Sequence, residues 1–146
     1  MKIEKANLSD VEELSSLYYQ LTKKYPEHNK MKPIFDLISK DKNYYLLVAL
    51  NQENKAVGTA MGVICYDLID LCAPFMLIEN VVVSESYRGQ GIGKMLMLEL
   101  EAIAYSNKCA LIILVSGNAR KEAHTFYENL GYPMVKGFKK KLTYDE

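Results

Sequence analysis

A glycine-rich turn at residues 88–93, reading Arg-Gly-Gln-Gly-Ile-Gly, constrains the fold more than any other stretch of the chain. Residues 75–83 before it are rich in Phe, Met, Leu, Ile and Val, which indicates a buried strand. Residues 92–107 after it carry apolar side chains at helical spacing, which indicates a helix. Such a turn leaves backbone N–H groups free at the positive end of a helix dipole, with no Cβ atoms in the way. The sequence therefore predicts a phosphate-binding loop.

The spacing of the glycines excludes two common loops of this kind. Gly89, Gly91 and Gly93 are two residues apart throughout, whereas a dinucleotide-binding turn needs Gly-x-Gly-x-x-Gly. A P-loop ends in Gly-Lys followed by Ser or Thr, and here Lys94 is followed by Met95. The turn belongs to neither class.

Two sequence blocks in the right order identify a family that the chain resembles. The first is Arg-x-x-Gly-x-Gly at 88–93, just after a Val-x-Val strand end at Val81 and Val83. The second is residues 123–132, Ala-His-Thr-Phe-Tyr-Glu-Asn-Leu-Gly-Tyr, which is similar to an Ala-x-x-Phe-Tyr-Glu-x-x-Gly-Phe/Tyr block. The chain thus resembles the GNAT superfamily of acetyl-CoA-dependent N-acetyltransferases, from about residue 44 onward and more loosely before it. The resemblance implies acetyl-CoA as cosubstrate and direct transfer of its acetyl group to a primary amine.

The order of predicted elements agrees with that fold. We expect a first strand near 2–6, helices over 9–25 and 33–40, a hairpin of strands 44–50 and 57–66, a strand over 109–115, a helix from about 116 to 130, and one or two strands within 134–142. Strand 75–83, helix 92–107 and strand 109–115 form a parallel, right-handed βαβ unit. The prediction is an α/β (α+β) GNAT fold: one domain over 1–146, with a mixed, mostly antiparallel sheet and helices on both faces.

Composition excludes several classes of function. Lys plus Arg and Asp plus Glu both number 18, so net charge gives no reason to expect nucleic acid or an anionic membrane as a partner. No apolar run is long enough to span a membrane, and the chain starts without an apolar signal segment, so we expect a cytoplasmic protein. Three cysteines and two histidines lack metal-ligand spacing, and no metal is expected.

The resemblance assigns the cofactor-binding residues. Backbone amides around 88–94 would hold the pyrophosphate of CoA, and backbone groups of two valines would pair with the pantetheine arm. Asn118 resembles a family Asn that contacts pantetheine, but by register that position falls on Arg120, so Asn118 could instead cap the helix. The expected set is Val81, Val83, Arg88, Gly89, Gln90, Gly91, Ile92, Gly93, Lys94 and Asn118.

Two residues are candidates for proton transfer. Tyr127 resembles the family's general acid, and an ordinary phenol with a pKa of about 10 holds the proton that a leaving thiolate needs; alternatively it is a core tyrosine on the helix's apolar stripe. Glu79 interrupts an apolar strand, and regular alternation predicts that it shares a face with Val81 and Val83. It could draw the proton from the amine, or be tied to Asn80, a backbone amide or a lysine.

The acceptor is expected to be a small-molecule amine. Tyr25 and His28 lie in a region that lines the acceptor pocket in relatives. A protein N-terminus or lysine is the alternative acceptor, and an acyl-CoA-binding module without turnover is the alternative function. A homodimer is possible by analogy with the family.

Overall fold

A mixed sheet of five strands organises the larger part of the chain. The computed structural model describes residues 1–116 and 121–145. The chain divides into two compact units, Met1–Leu114 and Val115–Glu146, which are described separately.

The first unit contains the sheet, three α-helices and two short 3-10 helices at Leu8–Asp10 and Glu85–Tyr87. Its elements in chain order are β1 (Lys2–Lys5), α1 (Val11–Thr22), α2 (His28–Lys40), β2 (Tyr44–Leu50), β3 (Ala56–Cys65), β4 (Phe75–Val83), α3 (Ile92–Ser106) and β5 (Ile112–Leu114). The second unit contains α4 (Lys121–Asn129).

The strands lie in the order β1-β2-β3-β4-β5, and only the β4–β5 pair is parallel. The β2–β3 hairpin closes because the Asn51 side-chain oxygen accepts hydrogen bonds from the backbone N–H groups of Glu53 and Lys55, at 3.0 and 2.9 Å. Because α3 connects β4 to the parallel β5, the predicted βαβ unit is present. The mixed, mostly antiparallel sheet confirms the predicted fold class.

Helices cover both faces of the sheet. On one face Leu14 of α1 packs with Leu46 and Val48 of β2, and α2 adds partly buried Met31 and Phe35. On the other face α3 lies close to β3, because Gly58 and Gly62 have no side chains to hold it away. A Cβ at Gly62 would lie 2.9 Å from Cδ2 of Leu100, and one at Gly58 would lie 3.1 Å from Cγ2 of Ile92. The glycines therefore let α3 approach the sheet closely.

The predictions for α2 and β5 differ from the structure. α2 begins at His28 rather than at Pro33, so Pro33 lies inside the helix, where it supplies no N–H for the helical ladder. β5 is shorter than 109–115, because the N–H of Cys109 closes the end of α3 and that of Ala110 binds the carbonyl of Pro74. The strand is also not buried on both faces, since Ile113 is 41% exposed.

The strands predicted within 134–142 are absent from the part of the tail that the structure describes. Residues 132–145 carry no helix or strand assignment, and most of their side chains are exposed. Alternating apolar and polar residues suit a strand, but a strand also needs a neighbouring edge to pair with. The sequence pattern contains no information about that edge.

Candidate active site

A β-bulge in β4 is the structural centre of the candidate site. Thr59 pairs with Val82 and Met61 pairs with Glu79, so two steps along β3 oppose three steps along β4. Asn80 accommodates the extra residue with a φ of 57°, in the left-handed region that Asn tolerates better than most residues. Bulges of this kind re-aim side chains and are frequent next to active sites.

The bulge corrects the predicted orientation of Glu79. Paired residues of neighbouring antiparallel strands point to the same face, so Glu79 lies with Met61 on the α1 side of the sheet. Val83 pairs with Gly58 and lies on the α3 side. The prediction that Glu79 and Val83 share a face is therefore wrong, because regular alternation ends at the extra residue.

The edge of β4 becomes free at the same point. Pairing with β5 runs from Met76–Ile112 to Ile78–Leu114 and stops one residue before Glu79. Beyond it, residues 79–83 pair with β3 on one side and, within the described ranges, with no strand on the other. Backbone groups on this side are available to an extended molecule added as a further strand.

The loop after β4 is held by contacts from three directions. The backbone N–H of Glu85 donates to Oε1 of Gln20 at 2.8 Å, which ties the loop to α1. Nδ2 of Asn51 donates to the hydroxyl of Tyr87 at 3.1 Å, which ties it to the β2–β3 turn. Nε of Arg88 donates to the carbonyl oxygen of Val83 at 3.0 Å. The loop is therefore positioned before any ligand arrives.

The glycines of the loop adopt conformations that other residues rarely adopt. Gly89 has a φ of 77° and Gly91 has a φ of 80°. No atom lies within 4 Å of a Cβ built on either residue. Their backbone is therefore open to close approach from outside.

The first turn of α3 completes the loop. The N–H of Met95 binds the carbonyl of Gly91 at 3.0 Å, so the N–H groups of Ile92, Gly93 and Lys94 precede the helical ladder. Together with the positive end of the helix dipole, they suit an anionic group. Residues 88–94 thus follow directly on the open β4 edge, and their role as a binding site stays a prediction.

Glu79 is half-buried on the α1 side of the sheet, and a cavity of about 300 Å³ reaches the residue after it. Its carboxylate makes no ion pair or side-chain hydrogen bond with the residues that the structure describes. The neighbouring Asn80 lines the cavity together with Tyr18, Leu21, Thr22, Lys24, Tyr25 and Pro26. Tyr25 lines this cavity, whereas His28 lies in the first turn of α2 and is not part of its lining.

Tyr18 is a half-buried phenol at this cavity that the sequence did not single out. Burial raises the pKa of Tyr18 above its usual value, and a hydrogen bond with the Thr59 side chain opposes that shift in part. The hydroxyl of Thr59 in turn donates to the carbonyl of Leu47 at 2.7 Å. Tyr18 therefore stays protonated at neutral pH.

A family model and several relatives match this arrangement. The model of the acetyltransferase (GNAT) family matches residues 8–132. The chain belongs to the GNAT family.

Among its relatives are two glucosamine 6-phosphate N-acetyltransferases. The chain is 32% identical over 97 residues to a probable one of Drosophila melanogaster and 46% identical over 55 residues to that of Trypanosoma brucei brucei, which covers 65% and 38% of this chain. These matches span 43% and 35% of the two relatives. The solved glucosamine-6-phosphate N-acetyltransferase of Arabidopsis thaliana is 26% identical, with a TM-score of 0.84 over 99% of this chain and 98% of that one.

The second sequence block of this GNAT chain, residues 123–132, lies in the second unit. Tyr127 is half-buried near the end of α4, with its ring centroid 5.2 Å from that of Phe126 and 6.4 Å from that of Tyr132, both edge-on. Its carbonyl accepts hydrogen bonds from the N–H groups of Leu130 and Tyr132, and Gly131 ends the helix with a φ of 90°. Asn118 and Arg120 lie outside the described residues.

No group of three or more His, Cys, Asp or Glu side chains is placed to hold a metal ion in the described ranges. Among the helices of those ranges, none is both long and apolar enough to cross a membrane.

Proposed function

We propose that the protein transfers the acetyl group of acetyl-CoA directly to the primary amine of a small molecule. The observation that carries this proposal is the free edge of β4, which starts at the bulge and leads into the loop of residues 88–94. In CoA an extended pantetheine arm leads into a pyrophosphate, in the same order as the β4 edge leads into the loop. The arm suits the strand edge, and the pyrophosphate suits the loop. Family membership and the names of the relatives support acetyl transfer.

The geometry of the loop supports a pyrophosphate as its ligand. Gly89 and Gly91 leave open the space that a Cβ would occupy, so an anion can reach the backbone amides. Lys94 adds a cation in the first turn of α3. Backbone groups of Val81 and Val83 would pair with the pantetheine amides, and Asn118 would contact the same arm.

The residues of the chain would then move two protons. When bound, acetyl-CoA supplies the acetyl thioester. Glu79 would take a proton from the ammonium of the acceptor, directly or through water, so that the neutral nitrogen attacks the carbonyl carbon. As the C–S bond breaks, the Tyr127 hydroxyl would donate its proton to the departing thiolate, and the second proton that the nitrogen loses as the amide forms would return to Tyr127 through solvent. Rate would come mainly from orienting the two substrates on the loop and the β4 edge.

The first test is calorimetric titration with acetyl-CoA of the wild type and of Gly91→Glu. We expect saturable binding by the wild type and its loss in the variant, because a carboxylate would face the pyrophosphate. Gly137→Glu controls for the added charge, since Gly137 also has open space at its Cβ and lies far along the chain from the loop, and Gly91→Gln controls for the strain at the positive φ of Gly91. A wild type that does not bind acetyl-CoA would refute the proposal.

The second test separates an enzyme from a binding module. Release of free CoA thiol is followed with a panel of small amines, a peptide N-terminus and a peptide lysine. We expect turnover with small amines and a fall in kcat of about 10²–10⁴-fold in Tyr127→Phe. Binding without turnover would favour the acyl-CoA-binding module, and turnover with the peptides alone would favour a protein acceptor.

A further inference from the structure

A second cavity lies between α1, α2 and β2, on the same face of the sheet as Glu79. It has a volume of about 260 Å³, and its lining is almost wholly apolar. Six of the lining residues are Leu14, Met31, Ile34, Phe35, Ile38 and Leu46. This cavity is called the α1–α2 cavity below.

The cavity exists because α2 packs loosely. None of the residues of α2 is fully buried, although Met31, Phe35 and Ile38 turn toward the core. Ile34, which lines the cavity, is 50% exposed. A domain that needed α2 only for stability would gain from packing more apolar surface beneath the helix, because apolar surface left in contact with water contributes nothing to stability.

The α1–α2 cavity adjoins the cavity beside the bulge. Tyr18 and Pro26 line both of them, so these two side chains form a common wall. The cavity beside the bulge reaches Asn80, next to Glu79. A molecule whose amine lies at Asn80, next to Glu79, could extend along Tyr18 and Pro26 toward the apolar space.

We propose that the α1–α2 cavity receives an apolar part of the acceptor. The acceptor would then be a primary amine joined to an aliphatic chain or an aromatic ring, an inference that rests on the proposed function. A cavity of 260 Å³ is well above the roughly 150 Å³ that suffices to hold a benzene molecule in an engineered apolar site. Glu27 and Lys30 are the charged residues of the lining, and the other side chains offer a sugar phosphate few polar partners.

The test uses n-alkylamines from propylamine to heptylamine, with glucosamine 6-phosphate as a polar amine. Binding is measured by calorimetry, and turnover by release of the CoA thiol. We expect affinity and kcat/KM to rise by about fourfold for each added methylene that becomes buried, until the cavity is full. The alkylamines are expected to exceed glucosamine 6-phosphate as acceptors.

Two tryptophan variants on α2 provide a matched pair. Ile34→Trp would fill the cavity, whereas Leu37→Trp adds the same bulk on the same helix at a residue that is 64% exposed and does not line the cavity. We expect Ile34→Trp to abolish the gain with chain length and Leu37→Trp to retain it. Phe35→Leu is a second check, because it enlarges the cavity and should move the optimum toward longer amines.

The outcomes separate this inference from the proposed function. The inference would be overturned if acetylation did not depend on the chain length of the amine, or if it depended on chain length equally in both tryptophan variants. The proposed function would still stand in either case. Chain-length-dependent binding without acetyl transfer to any amine would refute the proposed function and the acceptor role together, because the cavity would then hold a ligand that does not react.

Discussion

Helices α3 and α2 cover opposite faces of one sheet but pack on it very differently. Five residues of α3 are buried, and Gly58 and Gly62 of β3 let the helix lie close to the strands. No residue of α2 is fully buried, and a cavity of about 260 Å³ lies beneath the helix. One helix is held by close packing, and the other covers open space.

The difference matches what each face is proposed to bind. The N-terminus of α3 forms part of the loop for acetyl-CoA, and close packing holds its amides in one position. The α1–α2 face is proposed to hold the acceptor, where adaptable apolar space selects a class of molecule rather than one geometry. In this chain the cofactor would therefore be recognised by fixed backbone groups and the acceptor by loosely packed side chains.

The largest expected effect is on stability, from a paired truncation of the two helices. Leu100→Ala should lower the free energy of unfolding by about 2–5 kcal/mol, because the Leu100 side chain of α3 is fully buried against β3. Ile38→Ala on α2 should cost about 1 kcal/mol, because its side chain is already partly exposed. Urea unfolding of both variants measures the difference, and equal losses would mean that α2 is packed as firmly as α3.

The next effect concerns the charge that the loop accepts. Gly91→Gln and Gly91→Glu impose the same strain at a φ of 80° and add side chains of the same size. The carboxylate should weaken acetyl-CoA binding by about 1–4 kcal/mol more than the amide does, through repulsion of the pyrophosphate. Calorimetry at low and at high salt provides the check, since this extra loss should shrink as salt rises. Equal affinities in the two variants would show that the loop does not face an anion.

A smaller effect should follow from removing the link between the loop and β4. Arg88→Lys keeps the positive charge but removes the Nε donor that binds the Val83 carbonyl. We expect acetyl-CoA affinity to fall by about 0.5–1.5 kcal/mol, the usual net contribution of one hydrogen bond. The comparison with Arg88→Ala separates the two roles of the side chain. If only the alanine variant loses affinity, charge rather than loop position is what Arg88 contributes.

The sequence predicted the α3 side of the molecule better than the α2 side. The run of apolar residues at 75–83, the glycines at 89 and 91 and the helical spacing after them are local signals, and the structure has the strand, loop and helix that they predict. By contrast, Pro33 suggested the start of a helix, while α2 begins at His28. The cause is local: Pro is favoured in the first turn of a helix, and the residues before Met31, namely His28, Asn29 and Lys30, are all polar.

The centre of the site was beyond the reach of sequence patterns. The bulge at Asn80 depends on how β3 and β4 pair across the sheet, and nothing local to residues 79–83 signals the extra residue except the tolerance of Asn for a positive φ. The α1–α2 cavity depends on two helices meeting β2, and the cavity beside the bulge depends on α1 and the residues after it meeting Asn80. The sequence did not indicate Tyr18 for the same reason, because Thr59, whose side chain forms a hydrogen bond with Tyr18, lies on β3.

An effect of similar size is expected at Tyr18, the half-buried phenol on the α1 side of the sheet. The pKa of Tyr18 is raised above 10.0 in the folded protein by burial, so the unfolded chain loses this proton first as pH rises. The contribution of the neutral phenol to stability is complete below pH 10 and is lost as pH increases through the folded pKa. Tyr18→Phe lacks the hydrogen bond to Thr59, so its free energy of unfolding at neutral pH should be about 1 kcal/mol lower than that of the wild type. As pH rises above 10, its free energy of unfolding should fall less than that of the wild type. Urea unfolding of both proteins between pH 8 and pH 11 measures this. Parallel curves would show that Tyr18 reaches water, and the α1–α2 face would then be more open than its burial implies.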